Sequence, residues 1–467
     1  MTTTRSERPN GELAQGFKPR HITMLSIAGI IGAGLFVGSG HAIASAGPSA
    51  IVAYVLAGLL VVLVMRMLGE MAVASPDTGS FSTYADHAIG PWAGFSIGWL
   101  YWWFWVLVIP IEAIAAGVVL NNWFPQFDAW FYALSVTILL TLTNLFSVSK
   151  YGEFEFWFAM LKIIAIVAFI GLGLVALAGL LPNREVSGLS LLLETKGGFM
   201  PNGWTMIIGA LLTTMFSFVG TEAVTIAASE SKDPARNIAR ATRSVIWRIS
   251  IFYFLSIFVI ISIVPWNDPL LPVQGSYQRA LELMQIPYAK FLVDLVVLVA
   301  VASCLNSSIY IASRMVFSLA KRSDAPAFIG KTSAVGVPRA AVIASTFIGV
   351  LATIVNYFAP AQVFSFLLAT SGSIALLVYL VIAFSQLRMR SILQRRNVQL
   401  EFKMWLFPWL TWAVIAFIIF ALGVMFVMPQ HRAEVTSTLA LAGLVLLLGK
   451  LNERRKHPQP AVSAHRA

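Results

Sequence analysis

The sequence predicts an all-α membrane protein of about twelve transmembrane helices, and three observations carry that expectation. Hydrophobic residues make up 58% of the 467-residue chain and charged residues only 11%, against about 25% charged in a typical soluble domain. The apolar residues gather into runs of roughly 18 to 28, long enough to cross a hydrocarbon core of about 30 Å. Two of these runs, the first and the sixth, are interrupted by glycine near mid-length. No stretch is long and polar enough to make an independent soluble domain.

Taken in order, helices are expected at 22–41, 48–70, 92–120, 127–147, 154–181, 203–229, 242–265, 288–320, 339–358, 361–387, 405–428 and 434–451. Asp233-Pro234 reads as an N-cap followed by proline at the first helical position, which starts a short helix ahead of the seventh span. Trp92, Trp123, Trp130, Trp266 and Trp405 fall near span ends, where amphipathic rings anchor at the membrane–water boundary.

The net charge of +11 does not point to nucleic acid, because the cations sit in short segments between apolar runs. An even number of crossings puts both termini on one side. Lys and Arg on that side outnumber those on the other by about 23 to 5, which makes it the cytoplasmic side. The N-terminus is polar and lacks an apolar region followed by a small-residue cleavage site, so no cleaved signal peptide is expected. The single cysteine, Cys304, excludes an intrachain disulfide and a thiolate metal site. The six histidines are scattered without metal-ligand spacing, and no phosphate-binding loop or dinucleotide fingerprint is present. These absences argue against an enzyme, a cofactor and ATP-driven transport.

The interruptions are Gly29-Ile30-Ile31-Gly32-Ala33-Gly34 in the first span and Phe218-Val219-Gly220-Thr221-Glu222 in the sixth. Each opens a successive group of five helices, and paired breaks at corresponding positions point to a transporter's binding site. Unwinding frees backbone N–H and C=O groups that are costly to leave unpaired at membrane depth. A ligand carboxylate would satisfy the N–H groups, helped by a half-helix dipole. Carbonyls of the other break would take an ammonium group. Ile31, Gly32, Ala33, Gly34 and Gly220 are therefore candidate backbone ligands for a zwitterion. Close packing of helices is the alternative use of such glycines.

Several motifs resemble the signatures of the amino-acid/polyamine/organocation superfamily. They are Gly69-Glu70-Met71-Ala72, Pro76 through Ala85, Gly98-Trp99-Leu100-Tyr101-Trp102, Glu230-Ser231-Lys232-Asp233-Pro234 and Ser313-Arg314-Met315. Within it, the bacterial γ-aminobutyrate branch is most similar, through Tyr101–Glu112, Tyr151–Trp157, Ser244–Ser250, Ser303–Ser307 and Leu376–Arg390. The resemblance implies a five-plus-five inverted repeat with discontinuous helices 1 and 6. It divides the chain into a tail 1–21, repeats 22–181 and 203–387, two added helices 405–451 and a tail 452–467. It further implies uptake of an amino acid with protons across the inner membrane, γ-aminobutyrate being the expected substrate. Siblings for proline, basic or aromatic amino acids share most of these motifs, and exchange is the alternative mode.

Ionisable residues at membrane depth cost at least about 2.5 to 3.5 kcal/mol on insertion scales, so each is a functional candidate. Glu112, Lys162 and Glu222 lie deepest. The resemblance implies that Lys162 stands where sodium-coupled relatives hold a cation, ready to hold the opened first helix, and burial makes it a candidate for carrying the coupling proton. Glu222 follows the sixth break and is a candidate for the ligand ammonium or for the proton. Glu112 is a candidate proton carrier or packing partner. Tyr101, Asn306 and Phe216 are further candidates for the binding site, and the resemblance adds Phe218. The expected partners are the small-molecule substrate, protons and lipid.

Overall fold

The computed structural model describes residues 20–21, 24, 31–77, 79–146, 148–181, 188, 190–193, 198–229, 231, 233–286, 288–358 and 360–456. Among them, every regular element is helical. Most of the expected tail 1–21, the first half of span one and the end of the tail 452–467 lie outside the described residues.

The apolar run that opens this set, Gly34–Ala74, is continuous in composition, and the chain divides it with two residues. Gly47 takes φ 70°, Pro48 follows, and helix Ser39–Ala46 gives way to helix Ala50–Ala74. Proline has no N–H to donate, and only glycine adopts this φ without strain. A Cβ at Gly47 would also lie 2.4 Å from the Pro201 ring. The first span therefore ends at Ala46, beyond the expected 41, because His41 and Ser45 do not stop a helix that this turn does.

Spans three to five are helices Pro91–Trp123, Ala129–Asn144 and Val148–Leu177. Pro110 lies inside the third and removes the bond its N–H would give the Val106 carbonyl. Spans six and seven are Thr205–Phe218 with Ala223–Ser229, and Pro234–Arg248 continuing through a π-turn, Ile249–Leu255, into Ser256–Ile263. The short helix expected at Pro234 is thus the uninterrupted approach to span seven. Spans eight to twelve are Ala289–Lys321, Arg339–Phe358, Pro360–Arg395, Trp409–Val427 and Pro429–Lys456. The twelve expected spans are all represented, and span ten continues eight residues past its expected end.

Among the described residues four short α-helices fall between spans: Phe81–Ala88, Ser190–Leu193, Leu271–Gln274 and Ser276–Leu283. The last is fixed by Arg279, which donates to Asp268 and Glu282 at 2.7 and 2.9 Å. Ser276 meets Ser39 of the first span at 2.5 Å.

Burial separates an inner from an outer set. Apolar windows of spans three and six are 78% and 94% buried, while those of eleven and twelve are 33% and 22% buried. Span three packs most extensively against span eight and also touches four, nine, ten and twelve. Outward side chains such as Leu139, Trp157, Phe347 and Val427 are exposed and apolar. That surface suits lipid and would be untenable in water. The interior spans accordingly carry the polar chemistry.

Candidate functional site

Ile31 and Gly32 are non-helical, and the chain passes from them into helical geometry through a π-turn at Gly34–Gly38. Side chains from three other spans meet the groups this frees. The Ala33 N–H donates to both carboxylate oxygens of Glu112 on span three, at 2.9 and 3.2 Å. The Lys162 ammonium on span five donates to the Ile31 carbonyl at 3.0 Å. The Ser217 hydroxyl on span six donates to the Gly34 carbonyl at 2.7 Å, so the two breaks touch directly. Gly32 allows this approach, since a Cβ there would stand 2.5 Å from Glu112 Oε1 and 2.7 Å from the Cys304 Cβ.

Behind Lys162 lies Glu155, seven residues earlier on the same helix, with Nζ and Oε1 4.0 Å apart. Both side chains are fully buried, and the Ser303 hydroxyl of span eight donates to Glu155. Glu155 was not among the expected site residues. Its spacing of two helical turns from Lys162 was the available signal, because that spacing puts both on one face.

The sixth span breaks differently. Val219 is extended with ψ 146°, Gly220 takes φ 99°, and helix resumes at Ala223. Glu222 turns back and accepts the Gly220 N–H at 3.0 Å. It also accepts the Tyr101 hydroxyl at 3.0 Å and that of Tyr379, from span ten, at 3.3 Å. The Thr221 hydroxyl donates to the Phe218 carbonyl at 2.7 Å, and the Tyr253 hydroxyl to the Ser217 carbonyl at 2.8 Å. Phe218 stacks against Tyr253 with centroids 4.4 Å apart.

Between the breaks lies a cavity of about 10 Å³, lined by Gly34, Phe104, Trp105, Val108, Glu112, Phe216, Val219 and Cys304. That is room for about one water. Gly34, Glu112 and Phe216 of the expected residues face it, and Ile31, Gly32, Ala33 and Lys162 adjoin it through the first break. Tyr101, Gly220 and Glu222 form a second cluster, and Phe218 is packed beside it. Asn306 is not brought to the cavity lining; its Oδ1 accepts from Asn144 and Thr143 of span four at 2.7 and 3.1 Å. Phe104, Trp105 and Val108 were not anticipated, although they precede Glu112 by one and two helical turns and so share its face.

One expectation is corrected in substance. The main-chain groups of the breaks do not wait unpaired for a ligand; Glu112, Lys162, Ser217, Tyr253, Thr221 and Glu222 satisfy those named above. Backbone groups at membrane depth must find partners within the protein, and a cavity of about 10 Å³ has room for no more than about one water. The Ala33 N–H is thus already occupied by the Glu112 carboxylate.

An all-helical membrane fold in which the interrupted sixth helix touches the non-helical start of the first described span, with buried charges around both, is the architecture of a membrane transporter. The crystal structure of a manganese transporter mutant from Eremococcus coleocola has the same fold, with a TM-score of 0.55 at 15% identity, covering 97% of this chain and 98% of that one. The fold class is the five-plus-five inverted repeat with discontinuous first and sixth helices. The chain belongs to the amino acid permease family, whose model matches residues 21–461. It is 70% identical to a probable GABA permease of Pseudomonas aeruginosa over 96% of this chain and 94% of that one. It is 59% identical to the γ-aminobutyric acid permease of Escherichia coli, over 94% and 93% of the two chains. Against that of Bacillus subtilis the identity is 48%, over 97% and 96%. These relatives are permeases, transporters and not enzymes.

Proposed function

We propose that this permease imports γ-aminobutyrate together with protons, by alternating access, across the bacterial cytoplasmic membrane with both termini inside. The observation that carries the reading is the Glu112 carboxylate seated on the Ala33 N–H. It marks the opened first helix as a carboxylate receptor, and full-length relatives named for γ-aminobutyrate supply the substrate. The predominance of Lys and Arg in one set of loops supports the orientation. In this reading residues 22–181 and 203–387 are the two repeats, with 405–451 appended.

The Glu112 carboxylate stands in for the substrate carboxylate. Protonation of Glu112 weakens its acceptor strength, frees the Ala33 N–H and lets the substrate take its place. Coupling follows, because the substrate is held only after a proton has been taken up. Lys162 keeps the first helix open through the Ile31 carbonyl, and Glu155 balances its charge. Phe104, Trp105, Val108 and Phe216 give the apolar walls that a methylene chain needs between two polar ends. At the far end, Glu222 offers a carboxylate toward the ammonium. No cofactor is involved; the proton gradient drives the cycle.

The test is uptake of labelled γ-aminobutyrate by proteoliposomes holding no internal amino acid, with an imposed inward proton gradient. Accumulation that collapses with a protonophore is expected. Accumulation indifferent to the protonophore would defeat the coupling. Strong competition by α-amino acids, with none by ω-amino acids, would move the substrate to a sibling class.

A further inference from the structure

Away from the helix breaks, a cluster of positive charge lines a cleft at the approach to span seven. Helix Pro234–Arg248 carries Arg236, Arg240 and Arg243, spaced so that all three lie on one face, and all three are exposed. They line an open cleft of about 590 Å³ with Asp233, Glu401, Phe402 and Val73. Among the described residues none of the three guanidinium groups makes a hydrogen bond or ion pair. Arg66 of span two adds a fourth cation beside Arg243. It is clamped by donating to the Lys403 carbonyl at 2.7 Å and by lying 3.8 Å over the Phe402 ring. Phe402 is itself buried, so the floor of the cleft is fixed.

The stripe continues to Trp247, one turn further along the same face and 71% exposed. In the segment that leads from Glu401 and Phe402 into span eleven, Leu406 and Trp409 are 74% and 78% exposed. Exposed indoles of this kind belong at the headgroup level of a bilayer, with their apolar bodies toward the chains. The three arginines precede Trp247 by one to three turns on the same helix face, in the polar part of the approach to span seven. Guanidinium groups bind phosphate oxygens in a planar, two-pronged manner that an ammonium cannot reproduce. Phosphate oxygens also supply the counter-charge that Asp233 and Glu401 leave incomplete.

We infer that the cleft between span two, the approach to span seven and the loop before span eleven binds a phosphoryl group, supplied by the headgroup of an anionic phospholipid. The acyl chains pass along Trp247 and Trp409. The inference uses the proposed orientation only to name the leaflet as the inner one. It does not depend on the substrate or on proton coupling.

The experiment is lipid binding by the full chain, delipidated in neutral detergent and titrated with phosphatidylglycerol or phosphatidylcholine, with bound lipid counted by native mass spectrometry. Phosphatidylglycerol is expected to bind at least about tenfold more tightly than phosphatidylcholine, and the triple variant R236Q/R240Q/R243Q to lose that preference. Removing the same charge at the exposed R388Q/R395Q/R396Q is expected to leave it intact. Equal losses in the two triple variants would mean a diffuse surface charge and overturn the site. Should the triple glutamine variant fail to fold, Glu401→Gln is the complementary test, since removing a carboxylate from the cleft must tighten phosphatidylglycerol binding. An unchanged affinity there would overturn the inference too. Inorganic phosphate at millimolar concentration is expected not to displace the lipid; displacement would put the ligand in solution and overturn the lipid assignment.

Discussion

The two helix breaks face each other across one cavity, yet they are held in opposite ways. The first borrows its partners: Glu112 comes from span three, Lys162 from span five and Ser217 from span six. The sixth caps its freed N–H from within, with Glu222 folding back onto the Gly220 N–H two residues away, and borrows the Tyr253 hydroxyl only for the Ser217 carbonyl. A partner borrowed from another helix can leave when that helix moves or when its charge changes. A partner two residues away in the chain stays with the break wherever it goes. The comparison therefore assigns exchange of ligands to the first break and the role of a fixed joint to the sixth.

The strongest way to break that assignment is at Lys162. Lys162→Met removes the donor to the Ile31 carbonyl and leaves Glu155 buried opposite no cation. Breaking a buried pair in this manner costs about 3–5 kcal/mol, and accumulation of substrate against a gradient is expected to be abolished. Normal accumulation by this variant would end the coupling role. Glu112→Gln is the milder counterpart. The amide oxygen can still accept the Ala33 N–H, at a loss of about 1 kcal/mol for the charge-assisted part. Proton-driven accumulation is expected to fail while exchange of labelled for unlabelled substrate across equal concentrations persists. Loss of both activities together would assign Glu112 to packing.

Glycine substitutions sharpen the comparison at the next level. In Gly32→Ala the new methyl meets Glu112 Oε1 and Cys304, and overpacking of this kind costs about 1–3 kcal/mol. The clash falls on a borrowed partner, so transport should suffer more than the melting temperature does. In Gly220→Ala the obstacle is φ 99° itself, a strain of about 1–3 kcal/mol carried by the backbone. Thermal stability in detergent should fall first in that variant. The reverse ranking would show that the joint and the exchange site have been assigned to the wrong breaks.

Much of this was legible in the sequence, for reasons that are physical. Twelve spans follow from runs of apolar residues matched to bilayer thickness, and Gly220 with Glu222 in mid-run announced the sixth break. Glu112, Lys162 and Glu222 stood out because an ionisable residue at that depth is rarely idle. What stayed hidden was pairing. Nothing local to Glu112 says that it reaches the Ala33 amide on another helix, and nothing local to Asn306 says that span four takes its oxygen. Glu155 hid near the polar start of span five, where an acid reads as solvated. Tyr379 reads as one more aromatic in an apolar run until span ten is laid against the sixth break. The arginines at 236, 240 and 243 were legible as a positive loop; that they share a cleft with Phe402 required the packing of span two against the approach to span seven.

The smallest expected effects lie at the tyrosines that hold Glu222. Tyr101→Phe removes a 3.0 Å bond and Tyr379→Phe a 3.3 Å bond, each contributing about 0.5–1.5 kcal/mol. The longer bond belongs to the lower part of that range. Because the Gly220 N–H still holds Glu222 in either variant, the carboxylate stays in place and the sixth break keeps its shape. Both variants are therefore expected to accumulate substrate, with apparent affinity weakened a fewfold and Tyr379→Phe the less affected. Span ten touches the sixth break through this hydroxyl, so the double variant should lose more than the separate losses predict only if the two tyrosines hold Glu222 cooperatively. Abolished transport in either single variant would mean that the tyrosine hydroxyls, and not the Gly220 N–H, keep Glu222 in place, and the contrast between the two breaks would fall.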